Sequence, residues 1–229
     1  MQNRTLIIIP AYNEESQIAR TIQSLEGFDS FDYLVVNDGS KDRTKTILEE
    51  NKFHHVSLPV NLGIGGAMQT GYKYAERHGY EYAIQLDADG QHDPSDLVKL
   101  LDAIVTSDAD MVIGSRFVEK TGYKGTNTRR AGIYYFYTML RFITGVKVSD
   151  PTSGYRIVNR SVIQYFAQEY PVDYPEVEVI VQLARKKKKI LEVSVEMNSR
   201  QGGVSSITPL KSIYYMLKVT FFSVIRSYL

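Results

Sequence analysis

The chain has 229 residues, a length that fits one large domain or one domain with a small annex. Its formal net charge of +1 argues against a general nucleic-acid binder, and the absence of cysteine excludes disulfides and a cysteine-ligated zinc site. The apolar run that follows Arg4 is too short for a signal peptide or a membrane span, so a cytoplasmic protein is expected.

Short apolar strands alternate with helices over the first half of the chain. Strands are predicted at 5–9, 33–36, 55–58, 82–86 and 111–113, with helices ending near residues 25, 51, 78 and 105. A spacing of roughly 25 to 30 residues between strands is typical of βαβ units on a mostly parallel sheet. Since each strand is followed by a polar motif, we expect these motifs to share one crevice at the carboxyl ends of the strands.

The second half continues with a polar loop over 119–128 and a tyrosine-rich helix from about 129 to 143. The turn 150–156 leads into another strand, and a helix runs from about 174 to the basic residues 185–189. Residues 190–196 alternate between apolar and polar, which is typical of an exposed or edge strand. A glycine-containing loop at 200–206 precedes a last helix over 209–229.

Asp87 and Asp89 directly follow the fourth predicted strand. Residues two apart on a strand point to the same side, so both carboxylates start on one face. Together with Gln91 they offer oxygen ligands for a divalent cation that also touches phosphates. The alternative is a polar turn in which Asp93 caps the helix beginning at Pro94, and this alternative leaves both carboxylates available.

Residues after the first two strands suggest a nucleotide site. Tyr12 is placed to lie against a flat base, Glu14 to bond a ribose or base edge, and Asp38 to accept from a base N–H. Helix punctuation and an Asx turn at Asp38 are the simpler alternatives. The glycine run 61–67 does not fit a dinucleotide motif, and a tight turn that allows close packing is the better interpretation.

Five arginines stand at strand ends, helix starts or glycine-containing loops. Any one of them alone fits a surface ion pair, but five such residues beside a candidate metal site indicate an anion site. They are Arg116, Arg129, Arg130, Arg156 and Arg200.

The chain resembles the family 2 glycosyltransferases of the GT-A fold, and among them the polyprenyl-phosphate hexosyltransferases of the dolichol-phosphate mannose synthase group. The resemblance covers residues 6–206. It rests on ordered motifs: PAYNEE at 10–15, VVNDGSKDRT at 35–44, NLG at 61–63, DADGQH at 87–92, GSR at 114–116, SGYR at 153–156, and Arg200, Gly203 and Ser205. It implies an α/β fold with a mostly parallel, Rossmann-like central sheet flanked by helices.

The resemblance also implies roles for individual residues. Nucleotide contacts are expected at Pro10, Tyr12, Glu14, Val36 and Asp38. The segment Asp87–Ala88–Asp89 with Gln91 binds the diphosphate through Mg²⁺ or Mn²⁺, with Asp89 and Gln91 as metal ligands and Asp87 near the ribose or a metal-bound water. Arg116 and Arg200 contact donor phosphate. The acceptor phosphate is assigned to Arg129, Arg130 and Arg156. Apart from the resemblance, Asp150 is a reserve candidate for orienting the acceptor.

Two departures from the family pattern stand out. Asn37 replaces a common aspartate, and Ser206 stands where some members carry a lysine that faces phosphate. The chain also ends after one helix, where many relatives continue into transmembrane helices. Residues 1–206 are therefore expected to form the catalytic domain, and 207–229 an amphipathic helix that meets a membrane, a small integral membrane protein or the domain itself.

The implied function is inverting transfer of a hexose or N-acetylhexosamine from a nucleotide diphosphate sugar, with UDP favoured over GDP, to polyprenyl phosphate. The protein would act as a peripheral enzyme on the inner face of the cell membrane, without nucleic acid. Two alternatives remain open. One is a transferase for a lipid-diphosphate-linked sugar or polysaccharide, with Asp150 or Glu178 as an essential base. The other is a non-catalytic nucleotide-sugar-binding subunit.

Overall fold

The computed structural model describes residues 4–90, 92–118, 127–173, 175–196 and Thr220, with the backbone alone described at 127–130. These residues form a seven-stranded sheet with helices on both faces. The strands are β1 (Thr5–Ala11), β2 (Phe31–Asn37), β3 (His55–Ser57), β4 (Tyr82–Gln85), β5 (Met111–Ser115), β6 (Arg156–Asn159) and β7 (Ile190–Ser194). The helices are α1 (Ile18–Gln23), α2 (Thr44–Glu50), α3 (Gly63–Arg77), α4 (Asp96–Ser107), α5 (Asn127–Thr144), α6 (Arg160–Gln168) and α7 (Pro175–Arg185).

The order of strands across the sheet is β3-β2-β1-β4-β6-β5-β7. All neighbouring pairs are parallel except those made by β6, which runs antiparallel to both β4 and β5. The carboxyl ends of β1, β2, β4, β5 and β7 therefore meet at one edge of the sheet, and β6 begins there. We call this the site edge, and the motifs that follow these strands lie along it, as expected.

Alternating side chains of β1 divide the core into two layers. Leu6 and Ile8 point into the layer covered by α3, α5, α6 and α7, whereas Ile7 and Ile9 point into the layer under α1, α2 and α4. All four side chains are at most 1% exposed. A sheet buried on both faces explains why its central strand is an uninterrupted apolar run.

The predicted elements are largely confirmed, with three differences. Helix α6 was not anticipated, although Val162, Ile163 and Phe166 give it a buried face. The antiparallel direction of β6 was not anticipated either. Helix α1 begins at Ile18 rather than near residue 14, because Asn13 adopts a left-handed φ of 56° and residues before Ile18 form a turn.

The C-terminal helix predicted over 209–229 lies outside the described residues, apart from Thr220, which is helical. Within the described ranges, no helix combines the length and the hydropathy that a bilayer span requires. The division of the chain at residue 206 stays a prediction.

Candidate functional site

Reciprocal hydrogen bonds join the loop after β1 to the loop after β2. The backbone N–H of Asn13 donates to Ser40 Oγ at 3.0 Å, and the N–H of Lys41 donates back to Asn13 Oδ1 at 2.8 Å. The N–H of Glu14 donates to Thr44 Oγ1 at 2.9 Å. The two predicted nucleotide motifs are therefore held as one unit before any ligand arrives.

Asp38 lies at the centre of this unit and is 3% exposed. Its Oδ1 accepts from the N–H of Leu62 at 2.7 Å, so its carboxylate already fixes the start of α3. The side chain that bonds to the backbone of this turn is that of Asn37, whose Oδ1 accepts from the N–H of Ser40 at 3.2 Å. Gly39 has a φ of +64°, and a Cβ there would stand 2.7 Å from the backbone N of Asn61. This close approach requires glycine and keeps the turn after β2 in contact with the backbone of Asn61.

The other predicted nucleotide contacts differ in how exposed their side chains are and in where they lie on the strands. Tyr12 is 41% exposed, so its ring is available to a base. The side chain of Val36 is fully buried in the core, so any contact it makes with a ligand involves its backbone. Pro10 lies near the end of β1, level with Val36 in the parallel register.

The carboxylates of Asp87 and Asp89 follow β4 at the site edge. The Nε2 of Gln85 donates to Asp87 Oδ1 at 3.2 Å, and a Cβ on Gly154 would stand 3.0 Å from Asp87 Oδ2. Asp89 is 9% exposed. Thr21 Oγ1 donates to the carbonyl of Ala88 at 2.9 Å, which ties the segment to α1. This loop therefore presents oxygen ligands from a fixed backbone.

Oxygen donors of this kind fit a hard divalent cation such as Mg²⁺ or Mn²⁺. In the part of the chain that the structure describes, no three acidic or histidine side chains come together as a metal site. The described carboxylates thus suit a cation that takes its remaining ligands from phosphate oxygens and water. Gln91, the second predicted ligand, lies outside the described residues.

Asp93 stabilises the turn that leads into α4. Its Oδ1 accepts from the N–H of Ser95 at 2.8 Å, and the hydrogen bonds from Ser95 lower the pKa of the Asp93 carboxyl. Helix α4 begins at Asp96, two residues later than predicted. The N-cap residue of α4 is Ser95, so the prediction that Asp93 caps this helix is wrong, and Asp93 stabilises the preceding turn instead.

His92 is a site residue that the sequence did not reveal. Its side chain is 2% exposed, and its Nε2 lies 3.6 Å from Asp87 Oδ2. The ring packs on Tyr155 with centroids 4.4 Å apart, and its Nδ1 has no hydrogen-bond partner among the described residues. A polar cavity of about 160 Å³ opens here between α1 and the loop, with Arg20, Asp87 and His92 among its lining residues.

A buried ion pair follows β5. Arg116 is 2% exposed and Asp150 is fully buried. The Nε and Nη2 of Arg116 donate to the two oxygens of Asp150, both at 2.6 Å, and Nη2 also reaches Thr152 Oγ1 at 3.3 Å. This paired geometry holds the loop 149–154 against the end of β5. Contact of Arg116 with donor phosphate stays a prediction.

Glu192 on β7 supports the same loop from its other side. Its Oε2 accepts from the N–H of Ser149 at 2.6 Å, and its Oε1 accepts from the N–H of Asp150 at 2.9 Å. The carboxylate therefore fixes the backbone that carries Asp150. No local pattern in the sequence indicates this contact, which spans more than 40 residues.

Arg156 is 4% exposed and donates to three backbone carbonyls, those of Ser153 at 2.6 Å, Pro151 at 2.9 Å and Glu176 at 2.6 Å. It joins the loop to the start of α7, and its predicted contact with acceptor phosphate is not tested by this geometry. Burial raises the pKa of the Glu176 carboxyl; Arg156 lowers it in part, and the charge of Asp87 adds to the increase. The charges of Glu176 and Asp87 therefore repel each other.

An open cavity of about 540 Å³ adjoins the ion pair. Phe117 and Ser149, the neighbours of Arg116 and Asp150 in the chain, line it together with Ala131, Ile133, Tyr134 and Tyr137 of α5. Its surface is mostly apolar. The side chains of Arg129 and Arg130, one turn earlier on α5, and all of Arg200 lie outside the described set, so the structure does not place these three predicted phosphate contacts.

The sheet order, with one antiparallel strand and an acidic loop after β4, defines the protein as a glycosyltransferase of the GT-A type. Residues 6–166 match the model of glycosyl transferase family 2. The chain belongs to that family, and the sequence-based identification is confirmed.

Two relatives and one solved structure illustrate the similarity. The chain is 31% identical to polyprenol monophosphomannose synthase of Mycolicibacterium smegmatis, over 94% of this chain and 85% of that protein. It is 29% identical to a UDP-N-acetylglucosamine–dolichyl-phosphate N-acetylglucosaminyltransferase of Methanococcus voltae, over 83% and 84%. Glucosyl-3-phosphoglycerate synthase of Mycobacterium tuberculosis, solved with Mn²⁺, UDP and phosphoglyceric acid, shares the fold at a TM-score of 0.74 and 18% identity, over 98% of this chain and 78% of that one.

Proposed function

We propose that this glycosyltransferase moves a hexose or N-acetylhexosamine from a nucleoside diphosphate sugar, with UDP as the nucleotide, to polyprenyl phosphate. The observation that carries the proposal is the meeting of three features at the site edge. These are the buried carboxylate of Asp38, the carboxylates of Asp87 and Asp89, and the apolar cavity beside the pair Arg116–Asp150. The polyprenol monophosphomannose and the dolichyl phosphate in the names of the two relatives support the acceptor class.

The donor occupies the side of the site formed by β1, β2 and β4. Tyr12 stacks on the base, and Asp38 accepts from a base N–H while it keeps its bond to Leu62. Asp89 and Gln91 would hold a divalent cation, which would supply positive charge to the leaving diphosphate. Asp87, fixed by Gln85, would face the ribose or this cation's hydration water.

The acceptor occupies the side formed by β5, the loop 149–154 and α5. Its lipid chain enters the cavity lined by Phe117, Tyr134 and Tyr137, and its phosphate lies toward Arg129 and Arg130. The Arg116–Asp150 pair holds the loop 149–154 in place between the two substrates. A positioning role for Asp150 agrees with the bidentate bonds that occupy its carboxylate.

The reaction needs no general base. A phosphate monoester has a second pKa of about 6, so it is largely a dianion at neutral pH. Its oxygen forms a bond to the anomeric carbon as the bond from that carbon to the nucleoside diphosphate breaks, and the electron pair leaves with the diphosphate. Attack opposite to the leaving group inverts the anomeric configuration.

The test uses the purified chain, detergent-dispersed polyprenyl phosphate, Mg²⁺ or Mn²⁺, and a panel of UDP-glucose, UDP-N-acetylglucosamine and GDP-mannose. A glycolipid is expected from a UDP-sugar, and Asp89→Ala abolishes its formation, whereas Asp102→Ala, an exposed acid on α4, retains it. A product from GDP-mannose alone would overturn the choice of nucleotide. Full metal-dependent activity in Asp89→Ala would overturn the metal assignment. Transfer only to a lipid-diphosphate-linked sugar would overturn the acceptor.

A further inference from the structure

Residues 120–149 are basic and contain no acidic side chain, although the whole chain has a net charge of only +1. The segment contains six cations, which are Lys120, Lys124, Arg129, Arg130, Arg141 and Lys147. Such a one-sided distribution creates a local positive field that attracts anionic partners.

Helix α5, within this segment, has apolar residues on both of its sides. Ile133, Phe136 and Leu140 are at most 7% exposed and pack in the core. On the opposite side, Tyr134 is 71% exposed and Phe142 is 92% exposed. A surface helix ordinarily carries charged residues on its outer side, so an aromatic outer side indicates that something other than water covers it.

We propose that the outer side of α5, with Tyr134, Tyr135, Arg141 and Phe142, docks onto an anionic lipid surface. Tyrosine is favoured at the level of the headgroups, and an exposed phenylalanine gains free energy by entering the acyl boundary. The negative potential of anionic lipids attracts the cations of the segment 120–149, which contains no acidic residue.

The position of α5 gives this surface a purpose. Tyr134 belongs both to the outer side and to the cavity that adjoins the Arg116–Asp150 pair. A bilayer on α5 would therefore lie at the mouth of the proposed acceptor cavity. Only this link to the acceptor depends on the proposed function, since docking itself requires no transfer.

Charge and packing disfavour the other occupants. A second copy placed symmetrically on α5 would bring two acid-free basic segments together. Thr220 already lies beside α5, since its Oγ1 lies 2.8 Å from Tyr135 Oη and donates to Met139 Sδ at 3.3 Å. That contact leaves Tyr134 and Phe142 exposed.

The test is co-sedimentation of the full chain with vesicles of phosphatidylcholine, with and without phosphatidylglycerol, in the absence of nucleotide sugar. The wild-type chain is expected to bind the anionic vesicles, less tightly as salt rises. Phe142→Ser is expected to weaken binding about tenfold, and Arg141→Ser about fivefold. The matched controls are Val105→Ser, an exposed apolar residue on α4, and Arg77→Ser, an exposed arginine in the last turn of α3; both are expected to bind as wild type.

Equal vesicle binding by Phe142→Ser and Val105→Ser would overturn the proposal. A second result would also overturn it: Phe142→Ser loses self-association in sedimentation while it binds vesicles as tightly as wild type. The surface would then be a contact between two copies of the chain. Thermal unfolding confirms that the variants are folded. Sugar transfer to detergent-dispersed acceptor is measured separately. If the wild-type chain shows no transfer, the proposed function is refuted. If Phe142→Ser retains transfer but no longer binds vesicles, docking by α5 is supported.

Discussion

Replacing Asp150 by asparagine tests whether the buried ion pair holds the acceptor side of the site. The substitution keeps the shape of the side chain and removes its charge. It removes the carboxylate that pairs with the guanidinium of Arg116, which is 2% exposed. Removing one partner of a buried pair costs about 3–5 kcal/mol, since the remaining charge stays desolvated.

That cost is a large part of the stability of an ordinary domain, which is about 5–15 kcal/mol. For a chain of this size, it corresponds to a decrease in melting temperature of roughly 10 °C. Urea unfolding measures the free energy, and Glu49→Gln is the control. Glu49 pairs with Lys45 at 3.6 Å, but both side chains are more than half exposed, so the change is expected to cost about 0.5 kcal/mol or less.

The double variant Arg116→Met with Asp150→Asn completes the test. If the cost arises from an isolated buried charge, the double variant is more stable than Asp150→Asn alone. A loss below about 1 kcal/mol in Asp150→Asn would refute the reasoning, because the pair would then behave as a solvated surface bridge.

Two further predictions concern carboxylates outside the donor pocket. Glu192→Gln removes one of the two oxygens that accept from the backbone of the loop 149–154, and it is expected to lower the free energy of unfolding by about 2 kcal/mol. The control is Glu196→Gln, at an exposed position, which is expected to change this free energy little. Equal effects of the two substitutions in urea unfolding would contradict the role of Glu192. Burial alone would raise the pKa of Asp110, but hydrogen bonds from Lys189, Asn159 and Lys188 lower it overall. The ionised Asp110 carboxylate therefore stabilises the fold above its unfolded pKa, and this effect is lost as pH falls through the lower folded pKa. Asp110→Asn should lower the free energy of unfolding at pH 7 by about 2 kcal/mol, and the stabilities of variant and wild type should become equal in strong acid. A difference in melting temperature that does not change with pH would contradict this.

The strand-end motifs could be predicted because they depend on local patterns. A buried strand is an apolar run, and the polar residues after it lie at the carboxyl edge of a parallel sheet. Asp38, Asp87 and Asp89 were found in this way, and the structure brings their loops to one edge. The turn chemistry of Asp93 is equally local.

Other features depend on contacts between distant segments. The pairing of Arg116 with Asp150 joins residues 34 positions apart, and no periodicity links them. Arg156 has the composition of a phosphate ligand, yet in the structure it bonds three backbone carbonyls. The proximity of His92 to Asp87 depends on how the turn closes over Tyr155. Sequence alone gives the residue type in such cases, and the fold selects its partner.

The chemical structure of the lipid product tests the central claim most directly. The purified chain is incubated with an α-linked UDP-sugar, polyprenyl phosphate and Mn²⁺, and the product is analysed by mass spectrometry and NMR. The proposed reaction predicts one phosphate between the sugar and the lipid and a β-configured anomeric carbon. A product with two phosphates, or with the α configuration retained, would contradict in-line attack by the phosphate of polyprenyl phosphate.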